Sequence, residues 1–143
     1  MRVVRRSLPT LAAAAVVSVL AACASAPKAP LACAAGQSRA TTAEMVFGRD
    51  VGHDLGVSEA DWRAFLDEEI TPRFPDGLSV ADVQGQWKAS DGTIVREPSK
   101  VLYLVLDGGP DDPAKIAHIR DAYKARFHQD SVLLITNQAC VAF

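Results

Sequence analysis

Apolar positions change period from one stretch of the chain to the next. Thr42 to Phe47 (TAEMVF) predicts a short strand ending at Gly48. Arg49 to Gly56 is a glycine-punctuated loop. Ser58 then suits an N-cap, and Glu59 and Asp61 favour the positive end of a helix dipole. Trp62, Phe65, Leu66 and Ile70 fall at i, i+3, i+4 and i+8, one face of a helix that Thr71-Pro72 stops. Pro75-Asp76-Gly77 is a turn signal. Leu78 to Lys88 has strand-like stretches, with Gly85 marking a bulge or a close backbone approach. Ser90-Asp91-Gly92 predicts a hairpin, and Ile94 to Leu106 its returning arm, with Pro98 as an interruption. Val101 to Leu106 (VLYLVL) is apolar on both faces, as in a central strand covered on both sides. Asp112, followed by Pro113 in the first turn, predicts a capped helix start. Ile116, Ile119, Tyr123 and Phe127 share its apolar face, and Ser131 to Ile135 is a last strand running irregularly toward Val141.

Strand, helix, strand, strand, helix, strand is the ferredoxin-like βαββαβ order. The expected fold is therefore α+β, a four-stranded antiparallel sheet with two helices on one face. Apolar residues on both faces of the third strand then call for a second cover. A homodimer pairing sheet to sheet would supply it, as would the N-terminal segment.

The first thirty residues follow a different logic. Arg2, Arg5 and Arg6 precede an uncharged apolar run, Leu8 to Ala22. That length suits a signal-peptide core and falls short of the roughly 20 residues of a membrane span. Leu20-Ala21-Ala22-Cys23 resembles the bacterial lipobox, which implies lipidation of Cys23 as the mature N-terminus. Ala24 in place of Asp resembles the outer-membrane sorting pattern of Gram-negative hosts, with the protein facing the periplasm. The competing reading is an ordinary secretory signal cut after Ala24-Ser25-Ala26. The expected organisation is a signal over 1–22, a Pro- and Ala-rich tether over 23–38 and one α+β domain over 39–143.

Composition narrows the partners. Loss of the three signal arginines lowers Lys+Arg from 15 to 12 against 17 acidic residues, a net charge near −5. Such a surface suits nucleic acid poorly. The expected partners are the membrane, through the lipid, and a ligand or protein of unknown identity. Cys33 and Cys140 stand at opposite ends of the domain sequence, and an exported compartment lets them form a disulfide. A free thiol and a metal site are the alternatives, the latter without supporting C-x-x-C or His spacing. In the ferredoxin-like order the first strand begins beside the end of the last. The two cysteines can then meet if the residues after Cys33 fold back.

Val57-Ser58-Glu59-Ala60-Asp61-Trp62, Phe65-Leu66-Asp67-Glu68 and Thr71-Pro72-Arg73-Phe74-Pro75-Asp76-Gly77-Leu78 form one distinctive run. Gly85-Gln86-Trp87, Arg96-Glu97-Pro98-Ser99-Lys100 and Ser131-Val132-Leu133 form a second. Together they resemble the bacterial family catalogued as domain of unknown function 3574, over most of residues 40–143. The resemblance implies an envelope protein and carries over no catalytic residue.

The candidate binding residues are Arg73, Gln86, Trp87, Arg96, Glu97 and Lys100. Arg73, Arg96 and Lys100 could hold an anion, since guanidinium groups pair bidentately with carboxylate or phosphate. Glu97 could act as a general base if burial raised its pKa. Structural ion pairs and a sheet-covering Trp87 are the plainer account of the same residues. Neighbours on a strand such as Arg96 and Glu97 point to opposite faces. His53-Asp54 is a weak metal signal, His118 falls toward the solvent side of the second helix, and His128 suits its C-terminal end. No metal and no cofactor are expected, since P-loop, G-x-G-x-x-G and H-E-x-x-H patterns are lacking. The leading expectation is a binding or interaction module of the envelope. The rivals are a small enzyme with a sheet-lined pocket built on Arg73, Glu97 or Lys100, and a purely structural envelope protein.

Overall fold

A computed structural model describes residues 32–52 and 54–143. The signal expected over 1–22, Cys23, most of the expected tether and His53 lie outside the described residues. Strand β1 (Ser38–Gly48) buries Ala43, Met45 and Phe47 at every second position and turns Thr42, Glu44 and Val46 to the other face. The polar loop after it carries a two-residue pair, β2 (Asp50–Val51) and β3 (Asp54–Leu55). Helix α1 (Glu59–Phe65) starts on a capping box. The Ser58 hydroxyl accepts from Asp61 N–H, and the Asp61 carboxylate accepts from Ser58 N–H. The apolar face then continues through a π-helical turn, Leu66–Ile70, which places Ile70 in the core. Strands β4 (Ser79–Lys88) and β5 (Ile94–Leu106) form the hairpin, followed by α2 (Asp112–Phe127) and β6 (Leu133–Val141).

The sheet order is β4-β5-β1-β6, and every neighbouring pair is antiparallel. This is the ferredoxin-like arrangement, with both helices on the face that presents Met45, Phe47, Leu102 and Leu104. Phe47, Trp62, Phe65, Tyr123 and Phe127 interlock there, with ring centroids 4.8–6.3 Å apart. Tilted and edge contacts of this kind add to the burial of the rings themselves. Among the described residues no helix lies on the opposite face. Val101 is buried there, but Tyr103, Val105, Leu133 and Ile135 remain exposed.

Several boundaries differ from expectation. β1 begins at Ser38, within the expected tether, because Ser38 and Arg39 pair with Val141 and Cys140 of β6. β6 is regular from Leu133 to Val141, and Ser131 lies outside it. Asp111 rather than Asp112 occupies the α2 N-cap position. The Asp112 carboxylate accepts from Gly108 N–H at 3.0 Å and closes the preceding loop. β5 runs unbroken through Pro98. β1 ends at Gly48, opposite Ser99, and the Pro98 carbonyl accepts from Arg49 N–H at 3.1 Å. Pro98 nitrogen therefore faces the side where the ladder has stopped, so its missing N–H costs no bond.

The chain before β1 folds back through a turn in which Gln37 N–H donates to Ala34 O, with Gly36 at φ +82°. This brings Cys33 to Cys140, with a Cα–Cα distance of 5.5 Å and a disulfide between them.

Tyr123 links the core to the end of β1, its hydroxyl donating to Gly48 O at 2.8 Å. Burial pushes this phenol well above its ordinary value of 10.0. The unfolded chain ionises Tyr123 near pH 10 while the folded chain keeps it neutral. Its contribution is thus full below pH 10 and falls as pH rises further. Tyr123→Phe is expected to cost about 1 kcal/mol at pH 7 through the lost hydrogen bond. Urea midpoints should also fall less steeply for the variant than for wild type above pH 10. Parallel slopes for the two proteins would show that Tyr123 does not govern alkaline unfolding.

Candidate functional site

Strand alternation sorts the sequence candidates onto two sides of the sheet. Glu97, Ser99, Gly85, Trp87 and Gly48 share the uncovered face at one end, where Gly85 pairs with Glu97 and Gly48 with Ser99. They line a cleft of about 580 Å³. Two loops close the cleft from the side. One is Asp50–Gly52 and the other is the α2–β6 connection, His128–Ser131. The Gln129 side-chain N–H donates to Asp50 O at 2.7 Å and ties these loops together. His128 ends α2 in the left-handed conformation, φ 54°, which turns the chain from the helix into the cleft wall.

Glu97 is half-buried at the centre of this arrangement. Its Oε1 accepts from Trp87 Nε1–H at 3.1 Å, and its Oε2 lies 3.4 Å from Asp50 N–H. Two glycines make the notch that holds it. A Cβ on Gly48 would stand 2.6 Å from Glu97 Oε2, and one on Gly85 would stand 2.8 Å from Ser99 Oγ. Gly85 therefore marks a close approach, while the β4–β5 register runs through it without a bulge. Trp87 keeps 47% of its surface exposed, so an indole face is open to the cleft.

The remaining candidates go elsewhere. Gln86 contributes to the cleft wall beside Trp87. Arg96 pairs with Gln86 across the hairpin and is exposed on the side opposite Glu97. Lys100, three residues from Glu97, points to the helix side, where its ammonium meets Glu59 Oε2 at 2.9 Å and Asp82. Burial alone would lower its pKa, but the bonds to Asp82 and Glu59 outweigh it and hold Lys100 above its ordinary value. The Lys100 bond in turn holds the Glu59 carboxyl low, against a smaller opposing effect of burial. Arg49, 7% exposed, completes this network through Glu59 Oε1 at 2.7 Å and Val57 O at 2.9 Å. Arg73 sits below α1, donating to Glu69 O at 2.6 Å and contacting His118. His118 Nε2 also lies 2.9 Å from Glu69 Oε2. Arg73, Arg96 and Lys100 therefore do not assemble an anion site, in keeping with the plainer account of these residues. Two are engaged in structural ion pairs and the third is exposed on the far side. For the same reason Arg73 does not converge with Trp87 and Glu97.

The wall formed by Asp50, His128, Asp130 and Ser131 was absent from the sequence candidates. The polar run after α2 was its one local signal. Among the described residues, no three His, Cys, Asp or Glu side chains gather as metal ligands would. No helix among them is long and apolar enough to cross a membrane.

The profile of a family described as "Protein of unknown function (DUF3574)" matches residues 42–143. No curated protein matches the sequence. Among solved structures, the fold is similar to that of a phage SAM lyase. The form in complex with S-methyl-5'-thioadenosine gives a TM-score of 0.57 at 16% identity, covering 79% of this chain and 95% of that one. The apo form gives 0.56 at 16% identity, covering 80% and 97%. At this identity the likeness is one of fold.

Proposed function

We propose that the chain, which belongs to the DUF3574 family of proteins of unknown function, is a ligand-binding module of the bacterial envelope. It is exported by the signal over residues 1–22 and anchored by lipid on Cys23, and its lipid faces it toward the periplasm from the outer membrane. The cleft on the uncovered sheet face takes a small molecule. One observation carries this reading: an open indole, Trp87, and a half-buried carboxylate, Glu97, meet in a concave site of about 580 Å³. That volume lies within the usual range of small-ligand sites, which combine apolar walls with a few placed polar groups.

A thermal-shift screen of metabolites on the delipidated domain tests it. A ligand at about a hundred times its Kd adds ~2.7 kcal/mol to stability, a rise of several degrees in a domain of this size. The shift should disappear in Trp87→Ala, whose side chain is too exposed to support the core. A ligand that shifts Trp87→Ala as much as wild type would bind elsewhere, and the cleft would lose its role.

A second reading, a small enzyme in the same cleft, draws on the fold shared with a lyase and on Glu97 as the group able to accept a proton. Incubation with S-adenosylmethionine addresses it, and accumulation of S-methyl-5'-thioadenosine above the Glu97→Gln background would favour this reading.

A further inference from the structure

Some carboxylates of the described domain have a cation beside them. Glu59 and Asp82 meet Lys100, Glu69 meets Arg73, Glu68 meets Arg126, Asp112 meets Lys115, and Asp121 meets Lys124. Glu97 does not. It is half-buried, its two contacts come from the neutral N–H groups of Trp87 and Asp50, and among the described residues it forms no ion pair. Among the described residues no Lys or Arg lines the cleft around it, and the other ionisable groups that do are Asp50, Asp130 and His128. A partly desolvated carboxylate without a counter-charge is costly, and an opposite charge placed against it relieves that cost.

A second feature points into the same space. Ser99 is 2% exposed and lines the cleft, yet the one bond its hydroxyl makes among the described residues is a 3.5 Å contact to Glu97 O. That is longer than an O–H···O bond of ordinary strength. The hydroxyl is therefore free to bond to a guest. Trp87 adds an exposed indole face, which attracts cations through its quadrupole. Val95 and Leu133 supply apolar wall on either side.

We infer that the cleft takes a small organic cation, an ammonium compound with an apolar flank, seated against the Glu97 carboxylate and the open face of the Trp87 indole. The inference rests on the ligand-binding reading of this cleft and specifies its chemistry. The cation replaces the missing counter-charge, the apolar flank lies against Leu133 and Val95, and Ser99 bonds to a polar substituent.

The test is calorimetric titration of the delipidated domain with choline and spermidine. The neutral isostere 3,3-dimethyl-1-butanol and the anion acetate serve as charge controls. At least one cation should bind, and choline should bind about tenfold or more tightly than its neutral isostere. Glu97→Gln preserves shape and should remove that preference at a melting temperature no lower than that of wild type. Gly48→Ala keeps the charge but drives the carboxylate out of its notch, so it should weaken cation binding several-fold. Neither cation binding, or equal affinity for choline and its isostere, would overturn the inference. If a neutral or anionic metabolite nonetheless shifts wild type and not Trp87→Ala, the ligand-binding reading stands while the cation assignment falls.

Discussion

Replacing Cys33 and Cys140 together by Ser is expected to lower the melting temperature of the domain by on the order of 15 °C. The disulfide joins residues 107 apart in sequence and so closes nearly the whole domain into one loop. In the chain-entropy account, cross-linking a loop of about 100 residues stabilises by ~4.7 kcal/mol, and measured values run from about 2 to 5. The native fold should survive the change. The bridge sits where the turn after Cys33 meets the end of edge strand β6, away from the aromatic cluster around Phe47 and Tyr123. Far-UV circular dichroism should thus be unaltered at 20 °C while thermal melts shift strongly, and reductant should move wild type toward the variant. A shift below about 2 °C would mean that the unfolded chain gains little freedom when the bridge is lost.

The second large effect concerns Cys23, in the segment outside the described residues. Cys23→Ser is expected to move the protein from the membrane fraction to a soluble or unprocessed form. A single acyl chain binds membranes marginally, and durable anchoring takes at least two. Removing the cysteine proposed to carry the lipid should therefore abolish attachment rather than weaken it. The domain should melt at the same temperature, because its described structure is tied down from Cys33 onward. Fractionation followed by intact mass would decide the matter. A Cys23→Ser protein that remains mature and membrane-bound would contradict the lipoprotein assignment.

Much of the fold was legible because its signals are local. Trp62, Phe65 and Ile70 repeat at helical spacing, Ser90-Asp91-Gly92 marks the hairpin, and Pro113 marks the first turn of α2. The misplaced features depend on partners distant in sequence. Ser38 and Arg39 have no strand signal of their own and become strand by pairing with Val141 and Cys140. Pro98 reads as an interruption until β1 is seen to stop opposite Ser99. The same division holds at the site. Trp87 and Glu97 could be placed on adjoining arms of the hairpin, and three-residue spacing already separates Glu97 from Lys100. The Glu69–Arg73 pair is a local i,i+4 contact, but the partners of Lys100 could not be read locally, since Asp82 and Glu59 reach it through tertiary packing, as His118 reaches Arg73. Nor could the second wall of the cleft, because His128–Ser131 meets the hairpin only after α2 has crossed the sheet.

The chain has two tryptophans, Trp62 buried in the core and Trp87 open to the cleft, so their indole N–H resonances should be readily told apart. Following both by NMR while a ligand from the thermal-shift screen is added tests the cleft most directly. The account predicts that the Trp87 indole signal and the amides of Gly48, Gly85 and Ser99 move together and saturate, while Trp62 stays in place. Saturable shifts that spare Trp87 and gather on the helix side, around Arg73 and His118, would contradict it.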